Sequence, residues 1–186
     1  MSFNRVTIDG DTSTNDSLLA MASGAAGAGP LTGGDGLSRF RAAAFSVMRS
    51  LARQVVLDGE GATRLVTIRV RGAATAAEAR LAARTVAESP LVKTAFYGCD
   101  ANWGRLCMAL GRSGARFDPY AVDIDLDKVP WIRAGVDNGQ EAAASAVMKK
   151  PEYVIGIDLK AGDGEYEALT CDLSPEYVAI NGSYRS

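Results

Sequence analysis

The chain contains no histidine among its 186 residues. That excludes a Ser-His-Asp or Cys-His apparatus within it, and every histidine-based metal site. Acid–base chemistry must then come from carboxylates, Lys, Tyr or a group on another chain. Cysteine is scarce: Cys99, Cys107 and Cys171 are odd in number and lack a C-x-x-C spacing. This argues against a disulfide framework or a structural zinc site and suits a reducing compartment, with all three read as buried small hydrophobes. No apolar run approaches the roughly 18–20 residues of a membrane span, and no basic-then-apolar signal opens the chain, so a cytoplasmic location without a membrane partner is expected. A surplus of one charge is also missing. With a net charge of −2 and acids and bases interspersed, no phosphate-binding face stands out, and nucleic acid is not an expected partner.

What is present reads as a globular protein, 47% hydrophobic and 23% charged. Residues 3–9 alternate and are β-branched at Val6, Thr7 and Ile8, predicting a strand. A run of short polar side chains follows, then a short helix over residues 17–23. Six glycines and a proline between Gly24 and Gly36 predict a flexible surface loop, or a lid. The loop matches neither phosphate-cradling fingerprint. Ser38 is the expected N-cap of a helix running to residue 57, with Phe40, Ala44, Val47, Met48, Leu51 and Val55 on its core face. Residues 64–71 alternate basic and apolar, as a half-buried strand does. Thr75-Ala-Ala-Glu78 opens a helix, and residues 91–97 read as a strand. Asp100 or Asn102 is expected to cap the next helix, with Asp100 and Arg105 paired at its start. The last third alternates strands near 120–126, 130–136, 152–159 and 166–172 with a helix near 140–149. An apolar C-terminal tail is expected to dock. The pattern predicts a layered α/β or α+β fold, divided into a core segment at 1–72 and an α/β domain at 73–186.

Two acidic groupings invite a metal reading. Asp9, Asp11, Asn15 and Asp16 resemble a calcium loop but fail the EF-hand template at Thr14 and Ala20. Asp123 and Asp125 share one face of a strand, the solvated one. Neither grouping is expected to bind a metal. A sharper signal is Asp58-Gly59-Glu60-Gly61-Ala62-Thr63 between a helix and a strand. Glycine on both sides lets the backbone bend closely, so the Glu60 carboxylate projects from a tight turn.

That turn and three further stretches carry a resemblance: residues 2–16 with Asp9-Gly10-Asp11-Thr12-Ser13-Thr14-Asn15-Asp16, then Gly98-Cys99-Asp100-Ala101-Asn102-Trp103-Gly104-Arg105, and the closing Tyr177 to Ser186. Four motifs in order, over the whole chain, resemble the ornithine/glutamate N-acetyltransferase family of arginine biosynthesis. The resemblance implies the β-chain half of an αββα-type fold. Family precursors cut themselves before a threonine, and the new N-terminal Thr is the nucleophile, its own α-amine the base. It attacks N-acetylornithine, ornithine leaves, and glutamate takes the acetyl group in a ping-pong exchange. Here the likeness begins at Ser2, inside the β chain. The nucleophilic Thr is expected upstream of Met1, no catalytic residue is expected in this chain, and the chain alone is expected to be inactive. Thr12, Thr14 and Thr63 are not substitutes. Glu60, Asn181 and Ser186 match the family's substrate-binding positions, with Ser186 standing where Thr is common. Asp9, Asp11 and Asn15 are expected to be scaffolding nearby. The implied partners are the α chain, carrying the oxyanion hole, in an α2β2 assembly. No cofactor is implied; acetyl-CoA is a further donor in the family's two-activity members. The alternatives are an amidohydrolase or aminopeptidase using an N-terminal nucleophile, and a non-catalytic binding fragment.

Overall fold

A computed structural model describes residues 2–183. Six strands form one mixed sheet in the order β4-β3-β2-β5-β1-β6: β1 Leu65–Ala73, β2 Asp123–Leu126, β3 Val129–Arg133, β4 Val136–Asp137, β5 Glu152–Asp158 and β6 Gly164–Cys171. Among the described strands β1 and β5 pair in parallel and the other strand pairings are antiparallel. Residues on either side of position 72 thus contribute to a single sheet.

Alternation along β1 divides the protein into two layers. Val66, Ile68 and Val70 point into the main core, against the small residues Ala79, Ala82, Ala83 and Val86 of helix α2 (Ala76–Ala87). Thr75 caps α2 by accepting from the Glu78 amide at 3.2 Å, as its sequence signature predicts. Leu65 faces the other way, into a small second cluster with Val56, Leu169 and Cys171. Val56 belongs to α1 (Gly34–Leu57), tied down by Arg49 to Glu167 at 2.8 Å and by a forked Arg53–Glu152 pair.

Several predicted elements take another form. Residues 3–9 make a 3-10 turn (Phe3–Arg5) and a single bridge, Val6 to Leu169, rather than a strand. Residues 17–23 are exposed and non-helical: Leu18, Leu19 and Met21 stand exposed, and so short a helix is not stable alone. α1 starts at Gly34 and not at Ser38. Its predicted core face is largely exposed; Ala52 and Val56 are its only buried residues. Residues 91–97 lie in a helix, α3 (Pro90–Gly98). Pro90 sits in its first turn, and Val92, Ala95 and Phe96 recur at helical, not strand, spacing on its buried side.

Helix α4 (Trp103–Gly111) is capped by Asn102, as expected, but Arg105 donates to the Leu91 carbonyl and Thr94 rather than pairing with Asp100. Trp103 is half-exposed. Of the cysteines only Cys171 is buried; Cys99 and Cys107 are intermediate. The stretch expected as one strand near 130–136 is broken at Ala134 and Gly135, both at positive φ, into the antiparallel β3 and β4; the other strands and α5 (Glu141–Met148) follow the predicted order. Asp123 pairs with Lys160 and Asp125 with Arg133, so both are surface ion-pair members. The chain closes in α6 (Pro175–Ser183), held by polar contacts and without a buried residue. No described helix is long and apolar enough to cross a membrane.

Candidate functional site

The Glu60 turn begins where α1 ends. Gly59 donates to the Val56 carbonyl at 3.2 Å, and Ala62 donates to the Gly59 carbonyl at 2.9 Å. Gly61 takes φ +66, and a Cβ there would lie 2.6 Å from both Ser174 Oγ and the Tyr177 amide. Only glycine meets both conditions. The Ser174 hydroxyl donates to the Gly61 carbonyl at 2.7 Å, closing the turn against the segment that joins β6 to α6.

Beneath the turn lies Asp172, 3% exposed. Its carboxylate accepts from the Thr63 amide (2.8 Å), the Thr63 hydroxyl (2.5 Å), the Arg64 amide (3.0 Å) and the Arg64 guanidinium (3.3 Å). Arg64 reaches onward to the Tyr97 carbonyl at 3.2 Å and Cys99 Sγ at 3.1 Å. The motif starting at Gly98 is thereby attached to the turn from below. Close by, the buried Lys93 ammonium donates to Thr170 Oγ1 at 3.1 Å and to the Cys171 carbonyl. Burial pushes the Lys93 pKa down, partly opposed by Cys171 and Asp172.

On the exposed side, Asn181 Nδ2 donates to Glu60 Oε2 at 2.5 Å and to the Tyr177 carbonyl at 3.0 Å. The Tyr177 hydroxyl donates to Asp9 Oδ2 at 2.8 Å, and the Asp11 amide donates to Asp9 Oδ1 at 2.9 Å. The Tyr177 hydroxyl is pushed up to about 12. Its hydrogen bond to Asp9 is the largest cause, then burial, then the charges of Asp9, Glu60 and Asp11. The corner is therefore electronegative, and it suits a cationic group.

Glu60 and Asn181, far apart in sequence, meet directly, and Asp9 and Asp11 lie beside them. Asn15 instead bonds within its own exposed stretch, to Ser13 and Thr14. Ser186 lies outside the described residues. Thr63 has its hydroxyl committed to Asp172, in keeping with a structural role. Asp172, Ser174 and Tyr177 escaped sequence reasoning as members of the site. Among the described residues no group of three or more His, Cys, Asp or Glu side chains can hold a metal ion.

The ArgJ family profile matches residues 1–186. The arginine biosynthesis bifunctional protein ArgJ of Desulfotalea psychrophila is 50% identical over 99% of this chain and 48% of its own length. That of Chlorobaculum tepidum is 51% identical over 100% of this chain and 46% of its own. The chain thus spans about half the length of the curated relatives it matches. The crystal structure of arginine biosynthesis bifunctional protein ArgJ from Bacillus halodurans superposes with a TM-score of 0.92 at 40% identity, covering 98% of this chain and 87% of that one. With a family match from end to end and relatives half identical to it, the chain belongs to the ArgJ family.

Proposed function

We propose that the chain is the β-chain part of a glutamate/ornithine N-acetyltransferase, moving acetyl from N-acetylornithine to glutamate through an acetyl-enzyme. The observation that carries this is the meeting of Glu60 and Asn181 in an exposed, acidic corner, where a carboxylate faces the cationic end of an ornithine-type substrate. Ser186, outside the described residues, is proposed as a third substrate contact by its motif position. The nucleophilic Thr, produced by self-cleavage of a precursor, and the oxyanion donors come from the part of the relatives that this chain does not match. The two chains pair as α2β2 in the cytoplasm. The proposed reaction calls for no cofactor, and acetyl-CoA serves as a donor only if the enzyme is of the two-activity kind. A two-chain assembly is supported by the coverages. The same stretch fills 87% of the Bacillus halodurans chain yet under half of the curated relatives, so that solved chain is itself about half their length.

The test is acetyl exchange between N-acetylornithine and glutamate by the chain combined with the unmatched part of a relative. Glu60→Ala is expected to raise the KM for N-acetylornithine about tenfold to a hundredfold, the loss of one charge-assisted contact of about 1.5–3 kcal/mol. The melting temperature should move only slightly, since Glu60 is exposed and α6 keeps its ties through Ser174 and Tyr177. An unchanged KM would remove Glu60 from the substrate site.

A further inference from the structure

Helix α1 has 24 residues, about 36 Å of helix, and buries only Ala52 and Val56. Its apolar residues nevertheless cover two adjoining sides. Ala52 and Val56 lie on the buried side, while Phe40, Val47, Leu51 and Val55 form a second stripe, 42–60% exposed. A groove of about 580 Å³ runs between Leu51, Val55 and Leu57 on the helix and Phe3 beside it. A single exposed leucine needs no explanation; four large apolar side chains in helical register, continuing into a groove, mark a contact surface.

The charges choose the occupant. α1 carries Arg39, Arg41, Arg49 and Arg53 against one acid, Asp35. Arg49 and Arg53 are satisfied by Glu167 and Glu152, whereas Arg39 and Arg41, beside Phe40, have no carboxylate partner among the described residues. A second copy would set this arginine-bearing helix against itself. The matching surface is an apolar ridge flanked by carboxylates, and the relatives contain about as much chain again as this stretch.

We infer that the outer stripe of α1 is the docking surface for the companion half of the enzyme, with companion carboxylates on Arg39 and Arg41. This rests on the two-chain reading above. The stripe from Phe40 to Val55 is about 23 Å long. Alone it is narrower than the ~800 Å² that a stable interface buries on each side. Leu31, whose side chain lies against Gly36 at the start of α1, adds further exposed apolar area. The groove ends at Leu57 and Asp58, where α1 gives way to the Glu60 turn.

The experiment titrates the purified chain with the half of the Desulfotalea psychrophila relative that it does not match, by calorimetry and size exclusion. Val47→Asp and Leu51→Asp are each expected to weaken binding about tenfold or more. Arg41→Glu should weaken it and lower its salt sensitivity. Far-ultraviolet circular dichroism and the urea midpoint of each variant should match the parent chain, because these side chains are exposed. Parental affinity in all three variants would overturn the docking surface and leave the two-chain reading standing. No association of the parent chain would overturn both. Sedimentation of the chain alone supplies a further arm: a dimer abolished by Leu51→Asp would assign the stripe to a second copy instead.

Discussion

Asp172 shows what one buried carboxylate does for an exposed site. It neutralises the Arg64 guanidinium and accepts two backbone amides and the Thr63 hydroxyl, so the strand entering β1 cannot shift without breaking several bonds together. Truncation to alanine leaves those donors and a 17%-exposed arginine side chain without their acceptor. Asp172→Ala should cost about 3 kcal/mol or more, because the penalty is the desolvation of what remains, not the value of the ion pair. The denaturant midpoint reads this, and a loss below ~1 kcal/mol would show that water replaces the carboxylate. Tyr153 is the contrasting case. Its hydroxyl is buried without a hydrogen-bond partner among the described residues, so that oxygen contributes nothing comparable while its ring packs edge-on to Phe96 at 6.1 Å.

Helix α6 is an element held by its polar ends. It buries no residue, yet Ser174, Tyr177 and Asn181 fasten it to the Gly61 carbonyl, Asp9 and Glu60. The Tyr177–Asp9 bond sets a pH limit on this docking. The folded pKa of about 12 lies above the ordinary 10.0, so the fold favours the neutral phenol. Its contribution is complete below pH 10 and is lost as the pH rises through about 12. The difference in tyrosinate absorbance between the parent chain and Tyr177→Phe should be centred near 12; a midpoint near 10 would show that the bond does not hold in solution. Elements with strong local signals were legible in the sequence: the capped α2, the alternating β1 and the glycine-flanked turn all stand where expected. α3 was not, because a short apolar run fits a buried strand or a helix equally, and only Pro90 favoured the helix. Glu60 and Asn181 each stand in a motif of the sequence, and the structure brings the two side chains together. The roles of Tyr177 and Asp172 were not legible, since they exist only once residues 9, 60 and 172 are brought together by the sheet.

At the scale of the whole molecule the two faces of the sheet are unequal. One is covered along its length by α2 and the helices after it, around the main core. The other has only the C-terminal part of α1 over Leu65, beyond which β1 presents the exposed Arg69 and Arg71. Residues 9–35 are exposed throughout, as is most of α1 before Met48. The amphipathic pattern of α1 was correctly read as helix, but periodicity does not reveal which apolar side a chain covers by itself and which it leaves for another. Stability should therefore grade along one continuous helix. In hydrogen exchange of the chain alone, amides of β1 and β5 should exchange slowest and those of residues 52–57 next. Residues 36–47 should exchange early, because so short a helix without packing is marginal in water. Equal protection along α1 would mean that its outer side is already covered in the isolated chain. Early exchange confined to residues before Met48 would instead mark the length of helix that folds firmly only against a partner.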